Sequence, residues 1–354
     1  LFSSTVEKQT GAVPAWPILM PDIPEPQRGP VDMHVHLLGN VHSGHGCWSR
    51  LNSYRKFCAR YLLRGIGFDV ELEAEDFDEQ YAAFLARLVR ESSLSHAVVL
   101  AHEEVYDEHG KKMDFGSFHT SNNWTLEAAR RHPELLAAVS IHPARSDAID
   151  ELHRCAEAGA VMMKLLPPSQ NVDCSRPAYR SFWEAMAKLR MPFLSHTGGE
   201  YTVPVVNRRL FNPEMLRLPL ECGVNVIAAH AGTRSGLPGF EKNHVSTFLR
   251  LAEEFPNLFA DTSALNTPNR SHGLKTCLRP EVQPRIVHGS DFPVPVGARW
   301  PRLRGLITGE QARGASAIGN VLERDYQLKV AMGFQPAVFT RIWEILRVSR
   351  VSGE

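Results

Sequence analysis

The chain has 354 residues, 43% hydrophobic and 22% charged, an ordinary globular balance. Lys plus Arg and Asp plus Glu both number 39, a formal net charge of +0, so no basic excess points to nucleic acid or an acidic membrane surface. No apolar run approaches the ~20 residues needed to cross a bilayer, and Leu1 to Thr10 lacks the apolar core of a signal peptide.

The chain starts at Leu1 rather than at a methionine, which implies a missing or processed N-terminus. Residues 1–30 carry Pro14, Pro17, Pro21, Pro24 and Pro26 with little periodicity, and predict an extended arm ahead of a single domain over 31–354. Short apolar runs follow at 31–36, 97–101, 135–141, 160–166, 192–196, 224–230, 258–263 and 286–290. They are largely unbroken, as expected of strands buried on both faces.

Helical patterns fall between the runs. Phe77, Tyr81, Phe84, Leu85, Leu88 and Val89 recur with a helical period. Trp124 to Arg131 is a second segment, stopped by Pro133, and Ala148 to Ala158 ends at Gly159, a C-cap glycine. Further helices are predicted at Pro177–Arg190, Pro213–Cys222, Glu241–Glu254, Leu322–Met332 and Pro336–Leu346. Alternating strands and helices imply parallel strands with right-handed crossovers. Eight of them predict an α/β fold, a (β/α)8 TIM barrel, and such barrels run to roughly 250–400 residues as one domain. An open doubly wound sheet is the competing solution, but His42 to Gly46 is not the Gly-rich phosphate turn it would carry. The long segment 37–96 after the first strand predicts a helical insertion over the barrel mouth, where loops build active sites.

The six cysteines, Cys47, Cys58, Cys155, Cys174, Cys222 and Cys277, form no C-x-x-C pair and are too sparse for a disulfide scaffold. They read as reduced thiols in a cytoplasmic protein.

Most of the apolar runs close on a residue that can bind a metal. The first reads Val31-Asp32-Met33-His34-Val35-His36, and side chains two apart on a strand share a face, so His34 and His36 can hold one ion together. Lys164, His196, His230 and Asp291 stand at the ends of later runs, and in a barrel those ends converge on one pocket. A lysine flanked by as many apolar residues as Lys164 needs a partner or loses its charge. Nitrogen and carboxylate donors suit Zn²⁺, with Mn²⁺ or Fe²⁺ as alternatives. A closed structural zinc site needs only four ligands, so five candidates plus Lys164 argue for an enzyme.

Asp32-Met33-His34-Val35-His36, Met163-Lys164-Leu165-Leu166-Pro167-Pro168, Ser195-His196-Thr197-Gly198, Ala229-His230-Ala231-Gly232 and Gly289-Ser290-Asp291-Phe292-Pro293 together resemble the amidohydrolase superfamily, in particular its amidohydrolase 2 branch of barrel hydrolases and decarboxylases. The resemblance implies that His34 and His36 bind a first metal completed by Asp291. In two-metal members a carbamylated lysine bridges the ions, a role implied for Lys164, with His196 and His230 on the second ion. In one-metal decarboxylases the fifth-strand histidine joins the first pair and the sixth is a catalytic acid or base.

Both versions use residues present here, so one or two ions, and Lys164 carbamylated or not, remain open at this level. The hydrolase version sends metal-activated water at an amide, lactone or ester of a small organic acid, with Asp291 carrying protons. The decarboxylase or hydratase version acts on a small carboxylic acid, with His230 as proton donor. The implied partner is a small molecule. Many such barrels dimerise, but nothing in the sequence marks a homodimer interface.

Of the other candidates, His102, Arg234 and Tyr201 are placed to meet a substrate, against a solvated reading of the last two. His102 and His142 are expected beside the pocket rather than on a metal. Asp261 is expected to orient a ligand histidine. His288, three before Asp291, is expected to face the core. Arg302, Arg304 and Lys329 read as a solvated face.

Overall fold

The computed structural model describes residues 20–349. Most of the proline-rich arm, residues 1–19, lies outside them. Its last part makes a short 3-10 turn at Glu25–Gln27.

Eight parallel strands run in chain order around one sheet: β1 (Val31–His36), β2 (His96–Leu100), β3 (Leu135–Val139), β4 (Met162–Leu165), β5 (Phe193–His196), β6 (Val226–Ala229), β7 (Leu258–Asp261) and β8 (Ile286–Val287). β2 and β3 are buried at every residue, which is why, His96 at the start of β2 apart, their sequences are unbroken apolar runs rather than alternating ones. The two edges meet through backbone bonds. Met33 N donates to His288 O at 3.1 Å, His36 N to Phe292 O at 2.8 Å and Asp291 N to His34 O at 2.9 Å. The predicted barrel is therefore the observed fold.

Two apolar layers follow from this closure. Inside, Met33, Val98, Leu100, Met162, Leu194, Ile227 and Val287 pack with Ile342, Trp343 and Leu346 of the C-terminal segment. The Trp343 indole donates to Gly29 O at 2.8 Å, tying that segment to the entry of β1. Outside, the strands pack on helices. β1 changes layer along its length: its register against β2 shifts between Asp32 and Val35. Met33 joins the inner layer and Val35 the outer one, while His34 lines the mouth cavity. A bulge at a barrel rim re-aims side chains in this way.

The segment after β1 holds two helices, α1 (Ser53–Gly65) and α2 (Phe77–Arg90). α2 buries Phe77, Tyr81, Phe84, Leu85, Leu88 and Val89, the periodic face read from sequence. α1 buries only Leu63 and reaches the mouth cavity with Leu62.

Several boundaries differ from expectation. Pro177–Arg190 is a 3-10 turn at Pro177–Tyr179 followed by a helix at Arg180–Lys188. The helix expected from Glu241 begins at Val245. β6 stops at Ala229 and β8 at Val287, so His230 and Asp291 sit beyond the strands, each with a positive φ (62° and 70°). Lys329 is a clear correction. It is 1% exposed, donates to Gly289 O at 2.7 Å, and pairs with the buried Asp325 carboxylate one helical turn away. Arg302 and Arg304 are exposed as expected. His288 does face the core, against Phe339 at 5.2 Å between ring centroids. All six cysteines are free thiols. Among the described residues no helix is long and apolar enough to cross a membrane.

Candidate metal centre

The centre starts with a histidine held from behind. His34 Nδ1 lies 2.7 Å from Asp261 Oδ2 at the end of β7. That contact fixes the ring and leaves Nε2 for the cavity. His34 Nε2 and His36 Nε2 each lie 3.1 Å from the same oxygen, Asp291 Oδ1. The ligand atoms of His34, His36 and Asp291 all fall within 4.8 Å of one another, two imidazole nitrogens and a carboxylate oxygen of the kind that hold a divalent transition ion.

Local backbone features bring Asp291 to that point. Gly289 passes so close to β1 that an added Cβ would meet His34 Cβ at 2.8 Å. Asp32 Oδ1 accepts from Ser290 N at 2.9 Å and from His34 N at 3.2 Å, tying the two sides of the barrel seam.

The remaining candidates lie alongside. Lys164 projects from β4 into the same space, with Nζ 3.3 Å from His34 Nε2. His196 Nδ1 lies 3.2 Å from His230 Nε2, and the His230 ring centroid is 5.5 Å from that of His34. On its other side His230 Nδ1 lies 2.8 Å from Ser263 Oγ, and Asp261 Oδ1 accepts from His230 N at 2.8 Å. Asp261 therefore braces two of the candidate histidines at once.

These residues open into a cavity of ≈ 410 Å³. Leu38, Leu62, Phe118, Leu166 and Val203 give it an apolar side, while Glu200 and Arg270 are the charged groups added to those read from sequence. His102 lines it, stacked on Phe118 at 4.1 Å. Arg234 and Tyr201 do not line this cavity, in keeping with their solvated reading, and Tyr201 is half exposed beside Glu241. His142 stands apart as well, near Gln170 O at 3.1 Å.

Burial sets the protonation states. It pushes the Lys164 amine down to about 8, against the pull of Asp261 and Asp291. Burial, His230 and Arg270 hold His196 well below the ordinary imidazole range, and burial with Arg270 holds His230 at about 3. Burial opposes ionisation of Asp291, but His34 and His230 outweigh it and keep the carboxylate far below its usual range. Burial and Lys164 pull His34 down while Asp291 and Asp261 raise it further, so its proton is one that an ion would displace.

The amidohydrolase family model matches residues 31–317. The chain belongs to the amidohydrolase family. No curated protein matches it. Among solved structures, an uncharacterized TIM-barrel protein from Bordetella bronchiseptica is 15% identical with a TM-score of 0.53, covering 85% of this chain and 99% of that one. The 5-carboxyvanillate decarboxylase of Sphingomonas paucimobilis is 10% identical with a TM-score of 0.53, covering 91% and 99%. A probable 2-pyrone-4,6-dicarboxylic acid hydrolase from Acinetobacter baumannii is 17% identical with a TM-score of 0.48, covering 86% and 100%. The first two likenesses show the shared fold. This amidohydrolase is thus an enzyme of a metal-dependent family acting on small molecules, with a buried His34–His36–Asp291 group able to bind an ion.

Two cavity residues escaped the sequence reading. Glu200 follows the Ser195-His196-Thr197-Gly198-Gly199 turn directly and shares the signal of that motif. Arg270 sits in Thr267-Pro268-Asn269-Arg270, a polar loop with no periodicity, and nothing there separates it from a surface arginine.

Proposed function

We propose that this amidohydrolase is a hydrolase that directs water at an amide, lactone or ester bond of a small organic acid, with Zn²⁺ as the ion and Mn²⁺ or Fe²⁺ as substitutes. The observation that carries the reading is Lys164. Its amine lies 3.3 Å from His34 Nε2, beside the ion-binding group, and is buried. An ammonium there would repel a dication, so the loaded site requires a neutral or an anionic Lys164. Carbamylation by CO₂ would give the anionic form, with release of a proton, and would add a carboxylate-like donor beside His34.

His34, His36 and Asp291 would hold the first ion. Lys164 as its carbamate would join it to a second, held by His196 and His230. Bound there, metal ions supply Lewis acidity, making water acidic and polarising a carbonyl oxygen. Asp291 remains anionic at working pH and would take the proton from water at a carboxylate oxygen, then pass it to the departing amine or alcohol. Asp261 would keep His34 and His230 in register through these transfers.

The decarboxylase or hydratase reading is favoured by the His196–His230 contact, which offers a proton carrier, and by the fold shared with 5-carboxyvanillate decarboxylase. Metal content and intact mass, with a screen of lactones, amides and aromatic acids run with and without chelator, test the two together. Two ions, one CO₂ on Lys164 and chelator-sensitive hydrolysis support the hydrolase. One ion, an unmodified lysine and CO₂ release would replace it with the decarboxylase.

A further inference from the structure

Asp291 reaches the two histidines from a turn with no strand ladder to hold it. β8 ends at Val287, and Asp291 takes a φ of 70°, a left-handed conformation that most side chains avoid. The turn is pinned group by group instead. Gly289 N donates to Thr262 Oγ1 at 3.2 Å, Ser290 N to Asp32 Oδ1 at 2.9 Å and Asp291 N to His34 O at 2.9 Å. Ser290 O accepts from Ala264 N at 3.2 Å, and Gly289 O accepts from Thr262 Oγ1 at 3.2 Å and from Lys329 Nζ at 2.7 Å.

Of these contacts only the last comes from a helix outside the barrel. Lys329 lies on the helix Val321–Ala331, and its ammonium is held in turn by Asp325, one turn earlier on that helix. The other oxygen of Asp325 accepts from Asn266 Nδ2, in the loop after β7. Asn266, Asp325 and Lys329 are all buried. One ion pair therefore joins the turn that carries Asp291 to the loop that follows Asp261, the residue behind His34.

A buried ion pair is a poor source of stability, because desolvation of both charges offsets most of their attraction and apolar residues of similar size often serve as well. What this pair supplies is direction. An ammonium with a fixed carboxylate behind it donates along one line, and that line ends on the carbonyl two residues before Asp291. The other side of Gly289 has no slack, since a Cβ there would meet His34 Cβ at 2.8 Å. The turn is thus fixed between Lys329 and the strand that carries His34 and His36.

We infer that Asp325 and Lys329 are a positioning pair for the metal centre. They set where the Asp291 carboxylate stands relative to His34 and His36, and so set the affinity and geometry of the ion without touching it. The inference rests on Asp291 being an ion ligand, a premise that Asp291→Ala tests separately.

The probe is Co²⁺, titrated into protein freed of metal. Its affinity is read by competition with a chromophoric chelator, and its coordination by the visible absorption of the bound ion. The deciding variant is Asp325→Asn with Lys329→Met, which removes both charges and the donor to Gly289 O but keeps side chains of similar size. The expected result is Co²⁺ binding weaker by about 10- to 100-fold, with an altered spectrum, in protein that still unfolds cooperatively. Leu152→Ala is the control for lost stability alone. It opens a cavity in the outer helix between β3 and β4, away from the β8–β1 seam, and should leave affinity and spectrum as in wild type. Wild-type affinity and spectrum in the double variant, or an equal loss in Leu152→Ala, overturns the positioning role. If the double variant does not fold, Asp325→Asn alone, which takes the fixed charge from behind Lys329, must weaken Co²⁺ binding, and unchanged affinity there overturns it too. Co²⁺ binding unchanged in Asp291→Ala would instead remove the ligand assignment itself, and with it the premise.

Discussion

Lys164 Nζ lies 3.3 Å from His34 Nε2, the nitrogen that Asp261 turns toward the cavity by holding the opposite side of the ring. Lys164, next to last in β4, thus sets its amine beside a candidate metal ligand on the strand that begins the barrel. The first predictions follow from that pair.

If Lys164 works as its carbamate, Lys164→Ala should lose the second ion, the one assigned to His196 and His230, and drop kcat to background. Millimolar acetate or formate should restore part of the rate, because a free carboxylate can occupy the space left by the shortened side chain. Rates measured across an acetate series check this, and no rescue together with an unmodified wild-type mass would count against the carbamate.

Stability of the metal-free protein should rise with pH above neutrality. Burial lowers the Lys164 pKa from 10.5 to about 8, so between those values the unfolded chain binds a proton that the folded chain does not. The penalty of burying the ammonium is full below about 8, fades as pH rises toward 10.5, and amounts to on the order of 3 kcal/mol at most. Lys164→Met should therefore stabilise the metal-free protein at pH 7 and show little gain at pH 10. Denaturant midpoints at both values decide it.

Asp261 should control metal affinity without touching the ion. Asp261→Asn removes the carboxylate behind His34 Nδ1 and should weaken binding by about 10- to 100-fold. Competition with a chromophoric chelator measures it, and an unchanged Kd would refute the bracing role.

The Asp325–Lys329 pair should matter for stability. Lys329→Met leaves Asp325 buried and uncompensated and removes the donor to Gly289 O, costing about 3–5 kcal/mol. The double variant Asp325→Asn with Lys329→Met should recover a large part of that loss. Chemical unfolding of Lys329→Met, of Asp325→Asn alone and of the double variant separates this from two independent effects.

The sequence determined a good deal by itself. Eight apolar runs with helical patterns between them fixed the barrel, because strands buried on both faces must be written in unbroken apolar residues and parallel strands require crossovers. The spacing of His34 and His36 and the position of Asp291 after the last run named the group that the fold brings within 4.8 Å. Tertiary structure decided the rest. A charged residue looks the same in sequence whether it meets water or a partner from a distant segment. Lys329 therefore reads as solvated though Asp325 and Gly289 bury it, Arg270 carries no signal that sets it apart from a surface arginine, and that Asp261 serves His230 as well as His34 follows only from β7 standing between β6 and β8. Ligand types and strand order are local in the chain. Which cation faces the cavity depends on loop paths that no periodicity records.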